Sequence, residues 1–180
     1  MKTAFIRGFP KRALRDVTRV CVLRSFGISN EKLQNAPPAR AVMHEVARFT
    51  QGCPLVAHNA AFDRGFWQAE LARAECEPDA AHAFACTMLL SRRLYPHAEN
   101  HRLGTLARLH ALPSAGRAHR ALADAEVTAH LLMRMQRDVR ERFADALQQR
   151  ELSHAMLTTL QRAARGRLGQ SLEHSAPLAA

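Results

Sequence analysis

From about residue 26 onward the apolar positions fall into short runs of strand type and stripes of helical spacing. Ser29 or Asn30 is a suitable cap for a short turn through Glu31-Lys32-Leu33. Pro37-Pro38 opens a helix, proline being tolerated in the first turn. Val42, Val46 and Phe49 then follow at i, i+4 and i+7 with Met43 beside them, and Gly52 ends the helix. Leu55-Val56-Ala57, between Pro54 and a polar break, predicts a short buried strand. Asn59 is placed to cap the next helix, Ala60 to about Glu75, on which Phe62 and Phe66 share one face and Trp67 and Leu71 an adjacent one. Phe84-Ala85-Cys86-Thr87 predicts a second strand, followed by a turn or two of helix from Met88 to Leu94, stopped by Pro96. Asn100 is placed to cap a helix aligning Leu103, Leu106 and Leu109. After a loop from Pro113 to Gly116, a helix from Ala121 to about Met135 carries Val127, Leu131 and Met135 on one stripe. A helical tail from Val139 to about Arg165 has Phe143, Leu147, Leu157 and Leu160 as its apolar positions, and the chain from Ser171 is expected to fray.

Strand followed by helix, twice, predicts an α/β protein with a parallel core. Two short strands are few for a sheet, since three or more are normally needed, so part of the sheet is missing from the pattern. Residues 1–24 show neither period and hold seven basic residues against one acid, Asp16.

Composition narrows the function classes. A chain of 180 residues has room for one core. No apolar run approaches the ~20 residues of a membrane span, and the basic N-terminus lacks the continuous apolar centre of a secretory signal. That N-terminus is Arg-rich and acid-poor like a transit peptide, but Phe9-Pro10 and the scattered apolar residues make a poor amphipathic helix. Cys21, Cys53, Cys76 and Cys86 contain no Cys-x-x-Cys pair, which argues against a zinc knuckle and fits a reduced, cytoplasmic protein. The net charge of +10 suits a nucleic-acid partner. Lysine, however, occurs only at positions 2, 11 and 32, so an arginine- and alanine-rich coding bias is an equal explanation. The arginines of the C-terminal tail read first as the solvated face of a helix that covers the core, and second as a grip for a DNA backbone or a partner.

The candidate chemistry lies in two segments. Asp63 follows a buried strand in the first turn of a helix, where α/β sheets place ligands. Alone, it reads first as a helix-dipole carboxylate worth ~0.5 kcal/mol. Asp124 sits beside the apolar stripe of its helix, where an acid needs a partner or a metal, although Arg120 at i, i+4 is a simpler answer. His119 precedes that helix, and its ordinary titration near neutrality suits a base. His97 and His101 are four apart, with His110 following, but a zinc site there would need a helix running through Pro96 and Asn100, which argues against it. Cys86, with no base nearby in sequence, reads as a core thiol.

Val56-Ala57-His58-Asn59-Ala60-x-Phe62-Asp63 resembles the second motif of the DEDD 3′–5′ exonucleases. His119-Arg120-Ala121-Leu122-x-Asp124-Ala125 resembles the third motif of the subtype that uses histidine as base. Cys86-Thr87-Met88, Asn100-His101-x-Leu103-x-x-Leu106 and Gly27-Ile28-Ser29-Asn30-x-x-Leu33-x-x-Ala36-Pro37 are similar to further segments of the family, in the manner of the proofreading epsilon subunit of DNA polymerase III. The resemblance covers about residues 26–135. It implies a ribonuclease H-like fold and removal of nucleotides from a 3′ end with two Mg²⁺ or Mn²⁺ ions. Asp63 and Asp124 would be metal ligands, His119 the general base, and His58, Asn59 and Phe62 would shape the site or contact the terminal nucleotide. DNA is the favoured substrate, with DNA polymerase III subunits as implied partners and no membrane.

One motif of the family is missing. Its Asp-x-Glu should precede the Gly27-Ile28 segment, but the only acids before His58 are Asp16, Glu31 and Glu45. The expected organisation is therefore a non-matching basic segment at 1–24, an N-terminally truncated exonuclease-like domain at 25–136 and a helical extension with a frayed end at 137–180. Weak or absent activity and marginal stability follow from the missing acids and strands. The alternatives are a non-catalytic nucleic-acid- or polymerase-binding module and a gene remnant without function.

Overall fold

The computed structural model describes residues 36–113 and 121–175. The expectations for residues 1–24, for the turn at 29–33, for most of the Pro113–Gly116 loop and for His119 lie outside these residues.

The order of elements is α1 (Ala39–Thr50), β1 (Leu55–Ala57), α2 (Ala60–Arg73), β2 (Phe84–Cys86), α3 (Thr87–Leu94), α4 (Leu103–Leu109), α5 (Ala121–Arg142), α6 (Ala144–Leu147), α7 (His154–Leu160), a 3₁₀ turn (Arg165–Arg167) and α8 (Leu168–Glu173). Among the described residues the sheet has two strands, β1 and β2, parallel and paired Leu55 to Phe84, Val56 to Ala85 and Ala57 to Cys86. Successive strand side chains leave opposite faces. Leu55 packs with Met43, Trp67 and Leu71 of the α1–α2 layer. Val56 and Ala85 pack into the larger core built by α3 to α8, with Leu90, Leu131, Met135, Leu157 and Leu172. Both faces are covered, which is why these strands read as continuous apolar runs.

Several local expectations need correction. On α1 the buried positions are Met43 and Thr50, with Val46 and Ala47 half-buried, whereas Phe49 is 56% exposed. The stripe is rotated from the one expected, because Met43 is the residue that meets Trp67 and Leu71. On α4 only Leu106 is buried, and Leu109 points outward. Asn100 accepts a hydrogen bond from the Arg102 amide (3.0 Å), an Asx turn one step ahead of the helix, and Arg102 is the capping position. The Val127-Leu131-Met135 stripe of α5 is buried, and α5 runs on through residue 136 to Arg142. The tail is not one helix: it breaks at Gln148 and Gln149, both with positive φ, and resumes at α7, where Ser153 accepts from the Met156 amide. Ser171 lies within α8, and Leu172 beside it is fully buried, so the fold continues past the expected fraying point.

Two groups of contacts hold the C-terminal extension in place. Tyr95 donates from its hydroxyl to buried Asp138 (2.7 Å), which also accepts from Arg134 Nε (2.7 Å). Burial, then the Asp138 hydrogen bond, pushes the Tyr95 phenol well above its ordinary value. At the outer edge of β2, buried Gln161 accepts from the Cys86 amide (2.6 Å) and donates to the Phe84 carbonyl (3.3 Å). One side-chain amide thus takes the part a neighbouring strand would play. His154 Nε2 adds a bond to the Ala83 carbonyl (3.0 Å). The edge is covered rather than left as a template for another chain.

Candidate active site at the end of strand β1

β1 ends at Ala57, and the chain reverses through His58 and Asn59 into α2. Asn59 makes the reversal by adopting a left-handed conformation (φ 67°), which asparagine tolerates better than most side chains. It occupies the capping position as expected, but its side chain makes no capping hydrogen bond, and it is exposed. Phe62 is also exposed and stacks in a tilted pair with Phe66, ring centres 4.8 Å apart. Asp63 stands half-buried in the first turn of α2.

His58 is the fixed point of this corner. Its Nδ1 lies 2.9 Å from Thr87 Oγ1 and its Nε2 lies 2.9 Å from the His101 carbonyl. A carbonyl only accepts, so Nε2 carries the proton. Burial is the largest influence on the ring and holds its pKa below the ordinary value, so the imidazole is neutral, and Nδ1 accepts from the buried Thr87 hydroxyl. One ring thereby ties the end of β1 to the start of α3 and to the loop before α4. The His101 ring is tied in turn to Ser91 Oγ (3.0 Å), whose hydroxyl donates to the Met88 carbonyl (2.8 Å).

Asp124 acts on the same corner through its charge. It lies half-buried in the first turn of α5, close enough to His58 for its charge to raise the His58 pKa, an effect smaller than that of burial. Asp124, far along the sequence from His58, thus acts on it through its charge. His119 lies outside the described residues. Among the described residues no group of three or more His, Cys, Asp or Glu side chains is gathered closely enough to hold a metal ion. Asp63 and Asp124 are hard oxygen donors of the type that suits Mg²⁺ or Mn²⁺, so their chemistry fits the implied metals as part of a ligand set. Thr87 and Ser91 were not singled out by spacing as site residues. Only the Cys86-Thr87-Met88 resemblance pointed near them, because their role depends on a histidine far away in sequence.

The exonuclease family RNase_T matches residues 12–132. The chain belongs to this family. Its two-layered α/β arrangement around a small parallel sheet is the family's ribonuclease H-like fold. The match opens at residue 12, earlier than the start near Ser25 expected from the motifs. Among curated proteins, the chain is 37% identical over 121 residues to the DNA polymerase III PolC-type protein of Halalkalibacterium halodurans, covering 67% of this chain and 8% of that protein. It is 35% identical to the Bacillus subtilis protein of the same name, over the same shares. The chain thus spans about 8% of the length of these relatives. A solved structure, "Exonuclease X in complex with 5′ overhanging duplex DNA", is 27% identical, with a TM-score of 0.49 over 65% of this chain and 64% of that one. Among the described residues no helix is long and apolar enough to cross a membrane.

Proposed function

We propose that this exonuclease domain acts on DNA from the 3′ end, in the manner of a proofreading nuclease, and that its turnover is weak. Asp63 and Asp124 would hold divalent metal, and His119 would take the proton from the attacking water. When bound, Mg²⁺ or Mn²⁺ would supply charge stabilisation to the attacking and leaving oxygens. His58 keeps the corner rigid, and both of its ring nitrogens are engaged within the protein, so it shapes the site. Exposed Asn59 and Phe62 are the side chains offered to a terminal nucleotide. What supports this reading is the exonuclease family match, which spans both motifs, together with the influence of the Asp124 charge on His58 of the second motif. Weak turnover follows from the absence of any Asp-x-Glu before His58, which leaves two of the family's four metal carboxylates. The reading includes a cytoplasmic location and association with DNA polymerase III subunits.

The test is shortening of a 5′-labelled single strand in Mn²⁺. Slow loss of nucleotides from the 3′ end is expected, falling at least about tenfold in Asp124→Asn, the scale of losing one metal contact. Shortening that Asp124→Asn leaves unchanged would refute the assignment. The missing Asp-x-Glu also favours a second reading, a non-catalytic module, which predicts no shortening and DNA binding indifferent to Mg²⁺.

A further inference from the structure

The C-terminal extension lies beyond the family match, and the contacts that dock it also fix where its charges stand. Gln161 is anchored to β2, and Arg93 Nε donates to the Ala163 carbonyl (3.3 Å), so the chain leaving α7 lies along α3. Arg162, Arg165 and Arg167 follow directly and are all exposed. On the adjoining surface Arg92 is exposed too. Residues 152–172 contain no acid. Among the described residues none of these four arginines takes part in an ion pair. Their position relative to the candidate site is marked by His101, the residue whose carbonyl holds His58. Ser91, the neighbour of Arg92, lies 3.0 Å from His101 Nδ1, and Arg93 holds the Ala163 carbonyl, so α3 and the chain after α7 meet beside that loop; the charges of Arg92 and Arg165 add to burial, the main cause, in lowering the His101 pKa.

We propose that Arg92, Arg162, Arg165 and Arg167 form a backbone-binding edge that holds the phosphates of a single nucleic-acid strand as it runs away from the candidate site. Guanidinium groups match phosphate oxygens in pairs, and phosphate contacts read charge rather than sequence. The solvated-face reading of these arginines accounts for their exposure, but not for the convergence of two elements on the His101 loop. The proposal rests on the nuclease reading only for the class of its ligand.

The test is fluorescence anisotropy of a labelled 20-nucleotide single strand with the full chain in EDTA, across a salt series. In the variant Arg162→Ser/Arg165→Ser/Arg167→Ser, loss of three phosphate contacts should reduce the slope of log K against log salt by about 2, and weaken binding about tenfold or more at low salt. The variant Arg137→Ser/Arg140→Ser, on the far half of α5, should bind as the unsubstituted chain does. An unsubstituted chain that binds no strand, or a triple variant with an unchanged slope, would overturn the edge. So would triple-variant losses confined to anionic phospholipid vesicles, which would mark a membrane surface instead. Because the measurement needs no metal, the two readings fail separately. Strand shortening in Mn²⁺ with unaltered binding by the triple variant overturns the edge alone. Binding lost in the triple variant, with no shortening by the unsubstituted chain, overturns the nuclease reading alone.

Discussion

Replacing Gln161 tests how the extension is joined to the sheet. In the structure its amide accepts from the Cys86 N–H at 2.6 Å and donates to the Phe84 carbonyl at 3.3 Å, and the side chain is only 5% exposed. Gln161→Met keeps the length and removes both partners. A buried donor or acceptor left without a partner costs about 1–3 kcal/mol. The short bond to Cys86 should count nearly in full, and the longer one to Phe84 less, because water can reach a strand edge once the amide is gone. The expected loss is therefore about 2–4 kcal/mol, a large share of the ~5–15 kcal/mol that holds a typical domain. Gln161→Glu should be at least as damaging. Its carboxylate still accepts from Cys86 but has no proton for Phe84, and two oxygens then face each other. Urea denaturation followed by far-ultraviolet circular dichroism gives both values from the midpoint and slope. If Gln161→Met stays within about 0.5 kcal/mol of the unsubstituted chain, the range of a neutral surface change, the amide does not act as a surrogate strand.

Thr87→Val keeps the shape of a fully buried side chain but leaves His58 Nδ1 without its donor, and should cost about 1–3 kcal/mol in the same assay. Asp138→Ala should cost about 1–3 kcal/mol, because it strands the buried Tyr95 hydroxyl, whereas Arg134, a third exposed, can turn to water; Asp138→Asn, monitored by tyrosinate absorbance, should bring the Tyr95 titration downward, since Asp138 contributes to its elevation after burial. His58, His101, His110 and His154 all titrate below the ordinary histidine value in the folded chain, with burial the first cause in each. The unfolded chain therefore binds more protons below about pH 6.5, and stability that is complete above that pH is lost as pH falls toward the depressed folded values. Thermal midpoints that stay level from pH 7 to pH 5.5 would refute this.

How far the chain could be read in advance depended on whether a signal was local. β1 and the Val127-Leu131-Met135 stripe were legible because burial on both faces and a 3.6-residue period leave their mark within a few positions. Phe49 and Leu109 were misassigned because an amphipathic stripe fixes a helix, not which of two adjacent faces its neighbours cover. The break at Gln148 and Gln149 carries no glycine or proline, so nothing in the sequence announced it. At the site, Asp63 and Asp124 were recognised through family motifs, and the structure adds that the Asp124 charge acts on His58. The bonds of His58 to Thr87 and His101, and of Gln161 to a strand 75 residues away, join side chains that no window of sequence contains.

The sheet also divides the protein into two unequal layers. Among the described residues, the principal cluster beneath one face has five buried residues, among them Met43, Trp67 and Leu71; on the other, the cluster that includes Val139 and Leu157 has eighteen. Among the described residues Trp67 Nε1, buried in the thinner layer, has no hydrogen-bond partner, a further deficit there. Local opening begins where least apolar surface is at stake. Among the described residues the α1–α2 side is thus the one expected to yield first: amide hydrogens there would exchange with solvent, and proteases would nick the chain, while the α5–α8 side was still closed.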